Sequence, residues 1–141
     1  MWWRKAHLAF TSLIELRLIF LQASAAIDGL CIINYSFIIK QVLETDEHAK
    51  WIDGLRDKRV QIKIDVRVRR LAMGKSGDCR FLGVDASELR IDYGPGYRVY
   101  FSYHGQTLIV LLAGGDKSTQ PKDIRRAKEL ALQIRKEGLG Q

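Results

Sequence analysis

The sequence predicts an α+β domain over residues 38–141, on three observations. Apolar and polar residues alternate from Glu88 to Tyr93 and again from Tyr97 to Tyr103, with Gly94-Pro95-Gly96 between the two runs. A continuous apolar run, Thr107 to Ala113, follows a His104-Gly105 turn. The chain then ends on Ile124, Ala127, Leu130, Ala131 and Ile134 at helical spacing. Period two marks strands, and a recurrence every three to four residues marks an amphipathic helix. Three strands joined by tight turns make an antiparallel meander.

The elements follow in order. Phe37 to Leu43 is rich enough in branched and apolar residues for a first strand. Thr45 or Asp46 can cap a short helix from His48 to Leu55, in which Trp51, Ile52 and Leu55 share a face. Residues 56–73 satisfy two periods at once. Val60, Ile62, Ile64, Val66 and Val68 alternate as in a strand, yet Val60, Ile64, Val68 and Leu71 also form one helical stripe. Periodicity leaves strand and helix open here, and the glycines of Met73 to Asp78 end the element either way. Leu89, Ile91 and Tyr93 then face one way and Arg90 and Asp92 the other. In the next strand Tyr97, Val99, Phe101 and Tyr103 oppose Arg98, Tyr100 and Ser102. The run from Thr107 suits a strand buried on both faces. Pro121 fits the first turn of the last helix, and Gly138 its end.

The chain has 141 residues, 47% hydrophobic and 28% charged, which excludes wholesale disorder. Its 23 basic and 16 acidic residues give a net charge of +7, favouring a polyanionic partner. All but one unit of that excess lies in residues 38–141, while residues 1–37 hold 24 hydrophobic residues. Glu15 and Arg17 break this N-terminal stretch well short of the ~20 apolar residues a membrane span needs. We read it as an extension not native to the mature protein, translated from a start codon assigned too far upstream. A secretory leader and an amphipathic helix are the alternatives. Cys31 and Cys79 form no CxxC unit, and His7, His48 and His104 lack metal-ligand spacing, so neither a metal nor any other cofactor is expected. Gly74-Lys75-Ser76 and Gly115-Asp116-Lys117-Ser118 lack the spacing of a phosphate-binding loop.

The runs Trp51 to Arg59, Arg67 to Leu71 and Gly74 to Asp78 resemble the RelE/ParE superfamily of type II toxin–antitoxin toxins, above all the HigB-like addiction module killer branch. Glu88-Leu-Arg-Ile-Asp-Tyr-Gly-Pro-Gly-Tyr-Arg-Val-Tyr100 and Leu111-Leu-Ala-Gly-Gly-Asp-Lys-Ser-Thr-Gln120 carry the resemblance most strongly, with Asp123-Ile124 and Ala127-Lys128. It covers about residues 38–137. It implies a RelE-like fold with a strand, two helices, a three-stranded meander and a C-terminal helix, and so favours a helix over residues 56–73. Val60, Ile62 and Val66 depart from the alanine or polar residues usual there.

The resemblance further implies a cytoplasmic endoribonuclease that inhibits translation by cutting mRNA, often in the ribosome. Its partner would be a cognate antitoxin, a small helix-turn-helix protein, with operator DNA bound only through the complex and no membrane partner. Such cleavage uses the neighbouring 2′-OH as nucleophile, so the protein's tasks are phosphate orientation, charge stabilisation and proton transfer. Arg90, Arg98 and Lys117 are the expected catalytic cations, with Arg67, Arg70 and Tyr100 binding RNA and Tyr100 stacking a base. His104 is expected to be a turn residue. Residues Lys122 to Arg125 lack the tyrosine some ribosome-dependent relatives carry near the start of this helix. A ParE-like gyrase inhibitor, or a degenerate protein that only binds its antitoxin, are the alternatives, because one fold hosts both activities.

Overall fold

The computed structural model describes residues 3–5 and 39–138. Strand β1 (Trp3–Lys5) is followed by β2 (Gln41–Thr45), helices α1 (Asp46–Gly54) and α2 (Lys58–Ala72), then β3 (Cys79–Gly83), β4 (Ala86–Ile91), β5 (Tyr97–His104), β6 (Leu108–Gly115) and α3 (Gln120–Lys136). The six strands form one mixed sheet in the order β1-β2-β6-β5-β4-β3. β2 pairs parallel with β6, and every other pair is antiparallel. Trp3–Lys5 pairs antiparallel with β2, Trp3 facing Thr45 and Lys5 facing Leu43. The remainder of the proposed N-terminal extension lies outside the described residues.

Thr45 ends β2 and caps α1. Its hydroxyl accepts from the His48 N–H at 3.2 Å and donates to the Leu112 carbonyl at 2.6 Å, tying helix start to central strand. Of the strand expected over Phe37 to Leu43, the described part forms at Gln41–Thr45, because Gln41 to Glu44 are the residues that find partners on β6; Phe37 and residue 38 lie outside the described residues. Asp57 caps α2 by accepting from the Arg59 N–H at 2.9 Å. Gln61 donates to the Ile52 and Leu55 carbonyls at the end of α1, which fixes the corner between the helices.

Residues 56–73, open by periodicity, contain a helix. Val60, Ile64, Val68 and Leu71 are buried along it, while Ile62 is 62% and Val66 48% exposed. Burying each such side chain contributes about 1.5–3 kcal/mol, more than the few tenths a β-branched residue costs in a helix. The contiguous 60/64/68/71 stripe decides the conformation.

The meander has four strands rather than the expected three. β3 joins β4 through a two-residue turn in which Val84 and Asp85 take φ of 54° and 58°. That hairpin had no sequence signal of the usual kind, which is Asn-Gly or Asp-Gly. β6 is buried along nearly its whole length, as its continuous apolar run predicts. Ala86, Tyr100, Val110 and Leu112 pack in one core cluster with Ala127, Leu130, Ala131 and Ile134 of α3. Leu89 and Val99, on the opposite pleat, are fully buried too, so β4 and β5 are covered on both faces. No helix among the described residues is long and apolar enough to cross a membrane.

Candidate nucleic-acid interface

The meander register sets the site. Arg90 on β4 stands directly opposite Arg98 on β5, and Glu88 opposite Tyr100. Two like charges facing each other across a strand pair repel. The repulsion is offset by Glu88, whose carboxylate is wholly buried beside both. Arg98 Nε donates to Glu88 Oε1, and Arg90 Nε lies 3.5 Å from the same oxygen. Gln120, the first residue of α3, donates to both carboxylate oxygens at 2.9 and 3.2 Å.

The Arg98 side chain is 12% and that of Arg90 37% exposed. Arg98 Nη1 donates to the Gly96 carbonyl at 2.9 Å, which anchors it to the Gly94-Pro95-Gly96 turn. Positive φ of 56° and 77° at the two glycines allows that turn. A Cβ on Gly96 would lie 3.5 Å from Arg98 Nη1 and 3.7 Å from Lys117 Cβ, so Lys117 starts beside Arg98 at the same end of the sheet. Lys117 is exposed in the β6–α3 loop. The loop is held by Asp116, which accepts from the Ser118 N–H at 2.8 Å and from its hydroxyl. These hydrogen bonds hold the Asp116 carboxyl below its ordinary range, with Arg98 adding a smaller effect.

Gly114-Gly115 explains itself by contact. A Cβ at 114 would meet the Trp51 ring at 2.0 Å, and one at 115 would meet Asp123 Oδ2 at 2.0 Å. Both glycines let helices lie on the strand backbone, Trp51 from α1 and the start of α3.

Arg67 reaches the same region from α2. Its Nη2 lies 3.4 Å from the Arg90 carbonyl and 3.5 Å from that of Ser76, and its guanidinium covers Gly77. With Ile62, Lys63 and Val66 it forms one wall of a cleft of about 600 Å³, whose other wall comprises Asp78, Arg90, Ile91, Asp92 and Tyr93. Lys63 Nζ sits 4.7 Å from the centre of the Tyr93 ring. Arg70 is exposed on α2 and is not part of the cleft lining.

Tyr100 does not line the site. It was expected on an open face beside Arg98, where it would stack a base. Its ring is instead 0% exposed, sealed beneath α3. The alternation that assigns it to the Arg98 side is right, but that side is open only beyond the start of α3. Burial pushes its phenol well above the usual value, and the Glu88 charge adds to this. His104 ends β5, six residues from Arg98 or about 20 Å along an extended strand. It bonds with the Ser102 hydroxyl at 2.8 Å.

The residue that sequence reasoning missed is Glu88. Its signal was an acidic residue in phase with Arg90 in an otherwise buried strand pair, a position a solvated carboxylate does not occupy. No cluster of three or more metal-ligating side chains occurs among the described residues.

These features define a small α+β domain that presents a cluster of arginine and lysine at one end of its sheet. An uncharacterized protein of Haemophilus influenzae (strain Rd) is 44% identical to it over 94 residues, which are 67% of this chain and 95% of the relative. The chain belongs to the same family as that protein. No family model and no solved structure matches it.

Proposed function

We propose that the chain is the toxin of a type II toxin–antitoxin module, of the RelE/ParE superfamily and its HigB-like branch, and that it cleaves mRNA. The observation that carries this reading is the cross-strand pair Arg90 and Arg98, with Lys117 beside Arg98. The element order, with two helices between β2 and the meander, agrees with it.

In this reading the scissile phosphate lies against Arg98 and Arg90. As the 2′-hydroxyl gives up its proton and its oxygen bonds to phosphorus, the bond to the 5′-oxygen breaks and that oxygen takes up a proton; in between, the phosphoryl oxygens carry more negative charge than in the substrate. Guanidinium donors meet that charge with directed hydrogen bonds, and Lys117 adds a mobile point charge. Arg67 and Lys63 along the neighbouring cleft can hold the flanking backbone. Base stacking falls to Tyr93 rather than the buried Tyr100, since Tyr93 lines the cleft. A cognate antitoxin, a small helix-turn-helix protein, would silence the toxin.

The test is induction in cells lacking antitoxin, alongside cleavage of a labelled RNA by purified protein with and without ribosomes. Wild type is expected to arrest growth with rapid loss of message. Arg98→Ala or Lys117→Ala should lower cleavage by about 10²–10³-fold, as loss of one charge-stabilising donor does elsewhere. Undiminished toxicity in both variants removes the site assignment. Inhibition of gyrase supercoiling with intact RNA would instead select the ParE-like activity.

A further inference from the structure

We infer that Glu88 is a positioning residue for this site: a buried carboxylate that holds Arg98 by its Nε edge, draws Arg90 into ion-pair range, and so aims their remaining nitrogens at the phosphate. The inference rests on the nuclease reading above.

A carboxylate removed from water is costly unless its lone pairs are filled by donors. Glu88 is wholly buried, and donors fill them from two elements, Arg98 on β5 and Gln120 at the start of α3, while Arg90 on its own strand adds an ion pair at 3.5 Å without a hydrogen bond. Such a group is poor value as mere stability, since a well-packed apolar residue at the same place would be as stable or more so. Its geometry suits another task. It engages Nε of Arg98 while Nη1 bonds the Gly96 carbonyl, so two edges of that guanidinium are fixed and Nη2 is left for a ligand. Arg90 is held more loosely, by ion pairs alone: its Nε lies 3.5 Å from Glu88 without a hydrogen bond, and its Nη1 3.8 Å from Asp78.

Charge and orientation predict opposite results, and this makes the inference testable. Two arginines and one carboxylate sum to +1. Glu88→Gln raises this to +2, so on charge alone it should bind RNA more tightly and cleave at least as fast. On orientation it should cleave more slowly, because a neutral amide holds Arg98 weakly and turns a donor toward Gln120 or Arg90. Losing an outer-shell partner of this kind lowers activity by about 10–100-fold in metal sites.

The experiment uses the full chain. Single-turnover cleavage and binding of one labelled RNA are measured for wild type and Glu88→Gln, with NMR of the arginine Nε–Hε signals. Expected are unchanged or tighter RNA binding, cleavage slower by about 10–100-fold, and an Arg98 Hε signal that is shifted and protected from exchange in wild type only. The exchanged pair Glu88→Gln with Gln120→Glu, which returns a carboxylate to the cluster, should recover part of the rate. Wild-type cleavage by a folded Glu88→Gln overturns the inference. If Glu88→Gln does not fold, Gln120→Ala takes its place. It removes both amide hydrogen bonds to the carboxylate without stranding a charge, and an unchanged rate there likewise overturns it. If wild type itself does not cut RNA, the nuclease reading fails. The Arg98 Hε signal still reports whether the carboxylate pins the guanidinium, and an unprotected signal removes that as well.

Discussion

Gly114→Ala is expected to destabilise the domain because the Trp51 indole lies flush on the β6 backbone. The new Cβ would fall 2.0, 2.2 and 2.3 Å from three carbons of the indole. Carbon atoms rest at about 3.5–4.0 Å, so ring and strand must part by roughly 1.5 Å. The helix carrying Trp51 cannot simply lift away, since its cap Thr45 is bonded to the Leu112 carbonyl on the same strand. Overpacking of this kind costs about 1–3 kcal/mol, and the upper half of that range is expected here. For a domain of this size it lowers the melting temperature by about 10–20 °C. Removing the indole should abolish the penalty. In a Trp51→Ala background the extra methyl enters vacated space, so a double-mutant cycle should return a coupling of about 1–3 kcal/mol. Urea unfolding of wild type, both single variants and the double variant measures it. Additivity within about 0.5 kcal/mol would refute the contact.

Four further outcomes are expected. Val84→Asn should stabilise the domain by about 1 kcal/mol by thermal melting, because a β-branched residue sits at φ 54° in the β3–β4 turn where asparagine is at ease. Tyr100→Phe should leave RNA binding unchanged and stability equal or higher, since the buried hydroxyl has no hydrogen-bond partner; a clear loss of affinity in a filter-binding assay would contradict its burial. Thr45→Ala should cost about 1–2 kcal/mol in urea unfolding, as cap and strand tie are lost together. Ser118→Ala should weaken the β6–α3 loop in a pH-dependent way. The Asp116 carboxyl is held low in the folded state, so its stabilisation is present above the ordinary aspartate value of about 3.9 and lost as pH falls below it. The stability gap between wild type and this variant should thus shrink on acidification.

Much of the fold was legible because its cues are local. Gly94-Pro95-Gly96, the Tyr97 to Tyr103 strand, Pro121 and the 124/127/130/131/134 stripe each depend on neighbours within one or two turns, and each stands where expected, whereas the strand expected over Glu88 to Tyr93 lies at Ala86–Ile91. Strand β3 was not legible. Arg80 and Phe81 are exposed at a sheet edge, and the turn after them uses Val84 rather than glycine or asparagine. The candidate site was legible in its charges, Arg90, Arg98 and Lys117, since strand phase sets which pleat a side chain leaves. It was not legible in its burial, because alternation names a face without saying what covers it.

The sequence by itself determined the charge, the turn positions, the period of most elements and the phase of the arginines, all properties of short stretches of chain. The tertiary structure alone decided three things. It showed why residues 58–72 are a helix, which periodicity left open and the family resemblance favoured, because only packing distinguishes the buried 60/64/68/71 stripe from the exposed Ile62 and Val66. It placed α3 over Tyr100, closing a face that had been expected to be open. It also brought Gln120 across 32 positions of chain to the Glu88 carboxylate. Contacts between residues far apart in sequence have no local cue, and they determine which of the charged side chains are solvated and which are held in place.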